Sequence, residues 1–116
     1  DVQDRRSIQS GRDALTQLQQ TAPDVDAVFC SSDLLALGVL MQAGVLGLKV
    51  PQQLAIMGFG DTPLASDVAP ALSSVRINGE EIGRLAAQYL MARAEGRDVA
   101  SPTIDVGFSV VARDSA

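Results

Sequence analysis

Two short apolar runs, Ala27-Val28-Phe29-Cys30 and Leu54-Ala55-Ile56-Met57-Gly58-Phe59, constrain this chain more than any other feature. Neither alternates apolar with polar residues, as a strand with one wet face would, and such continuous runs suit strands covered on both faces of a parallel sheet. The first is therefore expected to be central. Between the two runs the sequence carries the marks of a crossover helix. Ser31, Ser32 and Asp33 have short side chains that accept from the free N–H groups of a first turn. Leu34, Leu35, Leu37, Leu40 and Met41 continue the helix, Gly44 and Gly47 offer left-handed stops, and Val50-Pro51 turns the chain back. This is a βαβ unit.

The flanks repeat the alternation. From Arg5 to Gln20, Ile8, Leu15 and Leu18 fall at helical spacing with Gly11 and Ala14 beside them, until Pro23 breaks the pattern. Leu72 to Ile77 reads as a further strand. Asn78, with Glu81 three residues on, starts another helix in capping-box fashion. That helix keeps its spacing through Ile82, Leu85, Ala86, Tyr89, Leu90 and Arg93, and Gly96 stops it. Thr103 to Gly107 and Ser109 to Arg113 are closing extended pieces. Strands alternating with helices predict an α/β fold with a doubly wound parallel sheet, whose ligands bind beyond the carboxyl ends of the strands.

That rule selects two places: Ser31-Ser32-Asp33 after the first run, and Gly60-Asp61-Thr62 after the second. Hydroxyls, a carboxylate and a helix N-terminus converging on one spot suit a polyol or an anion. Each residue also has a plainer use, Ser32 and Asp33 as a helix cap and Asp61 as a turn former.

Composition removes other classes. The chain of 116 residues contains no His, which excludes Ser-His and Cys-His nucleophile pairs and a His-containing metal site within it, and no cofactor motif is complete. Gly58-Phe59-Gly60 opens like a dinucleotide fingerprint, but Pro63 stands where its third glycine belongs. Nine Lys and Arg against 14 Asp and Glu leave a net charge of −5, unsuited to gripping a polyanion. Cys30 has no internal partner and reads as a small buried hydrophobe in a reducing compartment. No apolar stretch approaches the roughly 20 residues of a membrane-spanning helix. The start, Asp1-Val2-Gln3-Asp4-Arg5-Arg6, carries neither an initiator Met nor a signal-peptide pattern, so the chain is expected to begin mid-protein.

The order of motifs resembles a known family. Asp26 to Gly38 is similar to the strand-and-helix signature of LacI/GalR transcription regulators, and Gly47-Leu48-Lys49-Val50-Pro51 follows at the family's spacing. Leu54 to Asp61, Pro70-Ala71-Leu72-Ser73-Ser74-Val75 and Val111-Ala112-Arg113-Asp114-Ser115 continue the match. Gly58-Phe59-Gly60-Asp61, Arg76-Ile77-Asn78-Gly79 and Asp105-Val106-Gly107-Phe108 look most like gluconate-operon repressors.

The resemblance implies the later part of a periplasmic-binding-protein-like (type I) effector domain, mainly its C-terminal subdomain. The N-subdomain and an N-terminal helix-turn-helix domain would lie outside residues 1–116. It further implies a non-enzymatic, cytoplasmic homodimer that senses a sugar or sugar acid and contacts operator DNA through that other domain. Ser32 stands where an Asn often meets the effector, and Asp33 is the adjoining Asp. Gly60 replaces an Asp that holds sugar hydroxyls in many members, while Arg6 falls where an aromatic residue stacks on sugar in some. Losing an acid and gaining a base turns preference toward a carboxylate. The expected ligand contacts are thus Arg6, Ser31, Ser32, Asp33, Phe59, Gly60 and Asp61. A periplasmic sugar-binding protein of an ABC transporter, which shares the architecture, is the alternative.

Overall fold

A computed structural model describes residues 7–97 and 106–116; Arg6 and most of the predicted extended piece Thr103–Gly107 lie outside the described residues. The elements follow the order α1 (Ile8–Thr21), β1 (Ala27–Phe29), α2 (Asp33–Val45), β2 (Ala55–Phe59), α3 (Pro63–Asp67), β3 (Ser73–Ile77), α4 (Gly79–Ala94) and β4 (Phe108–Val111). The four strands form one sheet in the order β1-β2-β3-β4. β1 runs parallel to β2 with Val28 opposite Ile56, and β2 parallel to β3 with Gly58 opposite Ser74. The chain divides into two compact units, one formed by the residues up to Arg76 with Val110–Ala116, the other by Ile77–Ser109.

In the first unit the core gathers Leu15 from α1, Ala36, Val39 and Ala43 from α2, Leu54 and Ile56 from β2, and Leu72 ahead of β3. α1 packs on α2, and α2 on β2. The two helices approach closely because Gly11 and Gly38 face each other at their crossing, where any Cβ would fall on the opposite backbone. β1 stands at one end of this strand order rather than at its centre. Its residues alternate, with Val28 packed on the core while Ala27 and Phe29 are exposed, so its apolar run is covered on one face.

Ser32 and Asn78 cap their helices as their residue types predict, and Ser7 caps α1. Ser7 accepts from the Ser10 N–H at 3.0 Å, Ser32 from Leu35 at 3.2 Å and Asn78 from Glu81 at 3.0 Å. In the second unit, Glu81 spends its carboxylate on Arg84 one turn later. No residue of α4 is buried. Among the described residues, no helix is long and apolar enough to cross a membrane.

The returning C-terminal residues lock the first unit. Ser115 is buried; its Oγ donates to the Ile56 carbonyl at 2.6 Å and accepts from the Ser73 N–H at 2.8 Å, filling the gap where β2 and β3 begin to pair. Its carbonyl accepts from Ile56 N–H at 2.8 Å.

Candidate functional site

At the carboxyl end of β1 the chain enters α2 through Ser31, Ser32 and Asp33. Ser31 is exposed, and Ser32 caps the helix with its Oγ. Asp33 is buried, and both its oxygens are occupied. Oδ2 accepts from the Thr62 backbone N–H at 2.7 Å and the Thr62 hydroxyl at 2.9 Å, while Oδ1 accepts from the Ser74 hydroxyl at 2.8 Å. Burying a carboxylate costs heavily unless its lone pairs are satisfied. These three bonds satisfy them and tie the start of α2 to the loop after β2 and to β3. Gly58 allows this approach, since a side chain there would run into the Asp33 carboxylate.

The loop after β2 is bent at two successive residues. Gly60 has φ +112° and Asp61 φ +49°, the latter in the left-handed region that Asp tolerates better than most residues. Gly60 donates to the Val75 carbonyl at 2.8 Å, and the Asp61 N–H donates to Ser74 Oγ at 3.0 Å. Around Gly60 there is open space, with only the Thr62 methyl near the position of an added Cβ, at 3.9 Å. Phe59 beside it is partly exposed.

The Asp61 side chain turns inward between two arginines. Arg113 Nη1 lies 2.7 Å from Oδ1, and Arg76 approaches Oδ2 with Nη2 at 2.7 Å and Nε at 2.8 Å. The Arg113 guanidinium foremost, and then Arg76, hold the Asp61 carboxyl below the usual carboxylate range against the opposing effect of desolvation. Ser74 Oγ joins the two acids, donating to Asp33 and accepting from the Asp61 backbone.

The structure therefore brings Ser31, Ser32, Asp33, Phe59, Gly60 and Asp61 to one end of the sheet, with Arg6 outside the described residues. It adds two residues outside the strand-end places, Ser74 and Arg76, and gives Thr62 a bracing role. Thr62 and Ser74 hold Asp33, and Arg76 holds Asp61. The strand pattern carried a usable signal, because Ser74 and Arg76 are two residues apart on β3 and so share a face. Arg113 was visible only as part of the terminal motif.

An apolar cavity of about 400 Å³ opens beside β1, walled by Leu15, Leu18, Val28, Phe29 and Leu35. Ser31 is the one site candidate on its lining. With so few polar groups it has little to orient a polyol. Cys30, also on its wall, is free and buried, and desolvation pushes its thiol up to about 11, which makes it a poor nucleophile at neutral pH. Among the described residues no group of His, Cys, Asp and Glu is placed to hold a metal ion.

The model of the periplasmic-binding-protein-like domain family matches residues 1–116. The chain is 42% identical over 109 residues to the HTH-type transcriptional regulator GntR of Pseudomonas aeruginosa, covering 94% of this chain and 32% of that protein. It is 36% identical over 109 residues to the transcriptional repressor CytR of Escherichia coli, again covering 94% of this chain and 32% of the relative. Thus the chain spans about a third of the length of the curated relatives it matches. Among solved structures, the transcription regulator GntR from Chromobacterium violaceum superposes with a TM-score of 0.82 at 39% identity, over 94% of this chain and 40% of that one. The transcriptional regulator CelR in complex with cellobiose gives 0.87 at 33% identity, over 95% and 34%.

Proposed function

The chain belongs to the periplasmic-binding-protein-like domain family, in company with LacI-type transcription regulators, and from that premise we propose that it senses a polyhydroxy acid such as gluconate. In this reading residues 1–116 form the later part of an effector-binding domain, mainly its C-terminal subdomain. The complete protein is a cytoplasmic repressor that contacts operator DNA through a helix-turn-helix domain outside this chain. The role is binding rather than catalysis, in keeping with relatives that are regulators. Those same relatives disfavour the transporter alternative.

One observation carries the acid preference. At the carboxyl ends of β1 and β2 both carboxylates are committed inward, Asp33 to Thr62 and Ser74 and Asp61 to Arg76 and Arg113, while the exposed position beside them is Gly60. An acid at that position would hold sugar hydroxyls and repel a ligand carboxylate; glycine does neither. Ser31 and Ser32 supply hydroxyls for a polyol chain, and Arg6 is assigned by the family resemblance to the same pocket.

Titration calorimetry on the full-length protein tests this. Gluconate is expected to bind at least about tenfold more tightly than glucose, a difference of about 1.4 kcal/mol. Equal affinities, or tighter glucose binding, would overturn the acid preference.

The homodimer expected from the family has support on α2. Leu34, Met41 and Val45 are exposed at intervals of seven and four residues, which puts them on one stripe of the helix.

A further inference from the structure

The geometry points to Arg76 as the residue that reads the effector's carboxylate, an inference that rests on the sugar-acid reading above and adds a specificity determinant to it. Four charged groups meet at this end of the sheet. Asp33 is 2% exposed and fully hydrogen-bonded within the fold. The side chain of Asp61 is 6% exposed, and that of Arg113 is 18% exposed with Nη1 also donating to the Leu72 carbonyl at 2.7 Å. The Arg76 side chain alone of the four faces solvent, at 57% exposure.

Its guanidinium is nonetheless held. Both contacts it makes with Asp61, from Nε and Nη2, go to the single oxygen Oδ2, so Nη1 remains available to a ligand. An arginine has five N–H donors in a rigid planar fork, and orienting it beforehand reduces the entropy lost when a carboxylate binds. Asp61 supplies that orientation and is itself fixed by Arg113 and by its N–H to Ser74. Ser74 also bonds Asp33, which ties the anchor of the arginine to the start of α2, the element that Ser31 and Ser32 precede. Strand alternation puts Arg76 on the same face of β3 as Ser74. A ligand carboxylate on Arg76 would thus lie on the face of β3 that Ser74 links to the start of α2.

The test is calorimetry on the full-length protein with gluconate and glucose as probes, using wild type, Arg76→Gln and Arg76→Lys. Arg76→Gln is expected to weaken gluconate binding at least tenfold and leave glucose binding unchanged. Arg76→Lys, which keeps the charge but loses the fork, is expected to lose several-fold, for gluconate alone. A wild type that prefers gluconate, with Arg76→Gln binding it equally well, would overturn the role of Arg76 while the sugar-acid reading stands. Equal wild-type affinities for both probes would overturn that reading and this inference with it. Circular dichroism reports whether each variant folds. Should Arg76→Gln not fold, Arg76→Lys decides, and unchanged gluconate affinity in it overturns the proposal.

Discussion

Replacing Asp33 with alanine is expected to destabilise the protein by about 3 kcal/mol or more, measured as a lowered urea midpoint of the full-length protein at unchanged m-value. The substitution removes the acceptor of three hydrogen bonds and leaves the buried Ser74 hydroxyl without an acceptor for its proton. Hydrogen bonds to a charged group each contribute about 1.5–3 kcal/mol, and the exposed Thr62 recovers part of its loss by turning to water. Asp33→Asn should cost less, since its remaining carbonyl can serve Thr62 while its amide donates to Ser74 Oγ. Ser32→Ala, which removes only a helix cap, is expected to cost about 1 kcal/mol. If Asp33→Ala instead left stability intact and abolished only effector binding, the carboxylate would be a ligand group and not a brace.

Gly38→Ala and Gly11→Ala should each cost about 3 kcal/mol or more in the same unfolding experiment. A Cβ on Gly38 falls on the Ile8 carbonyl oxygen and within 2.8 Å of the Gly11 Cα, and one on Gly11 falls on the Leu35 carbonyl oxygen. All of these are backbone atoms, which cannot swing aside, so α1 and α2 must separate and expose Leu15 and Val39. Gly44→Ala provides the control with opposite sign. It lies in the same helix with nothing within 4 Å of an added Cβ, and alanine there should stabilise by about 0.5–1 kcal/mol. A neutral Gly38→Ala would mean that the close crossing is not needed for packing.

Much of this architecture could be read from the sequence because its signals are local. Ser7 escaped notice, but Ser32 and Asn78 marked their helix starts by residue type, and the runs at 27–30 and 54–59 became β1 and β2. α3 was missed. Five residues are too few to show periodicity, although Thr62-Pro63 is a cap followed by a proline in the first turn. Gly38 was legible as the last residue of the family-like stretch but not as a helix crossing, which depends on Gly11 arriving from another element. The same holds for the site. Ser31, Ser32, Asp33, Gly60 and Asp61 follow from the rule that ligands gather beyond strand ends. That Asp33 and Asp61 turn inward depends on Thr62, Ser74, Arg76 and Arg113, partners 15 to 52 residues away, and no spacing in the chain announces such pairings.

Operator binding by the full-length protein decides whether this chain senses an acid for a DNA-binding regulator. Fluorescence anisotropy with a DNA fragment from upstream of its own gene would be recorded alone, with gluconate and with glucose at equal concentration. Saturating gluconate is expected to change the DNA affinity at least about tenfold, a coupling of about 1.4 kcal/mol, while glucose leaves it unchanged. DNA affinity that is the same in all three conditions, or that responds to glucose and not to gluconate, would contradict acid sensing.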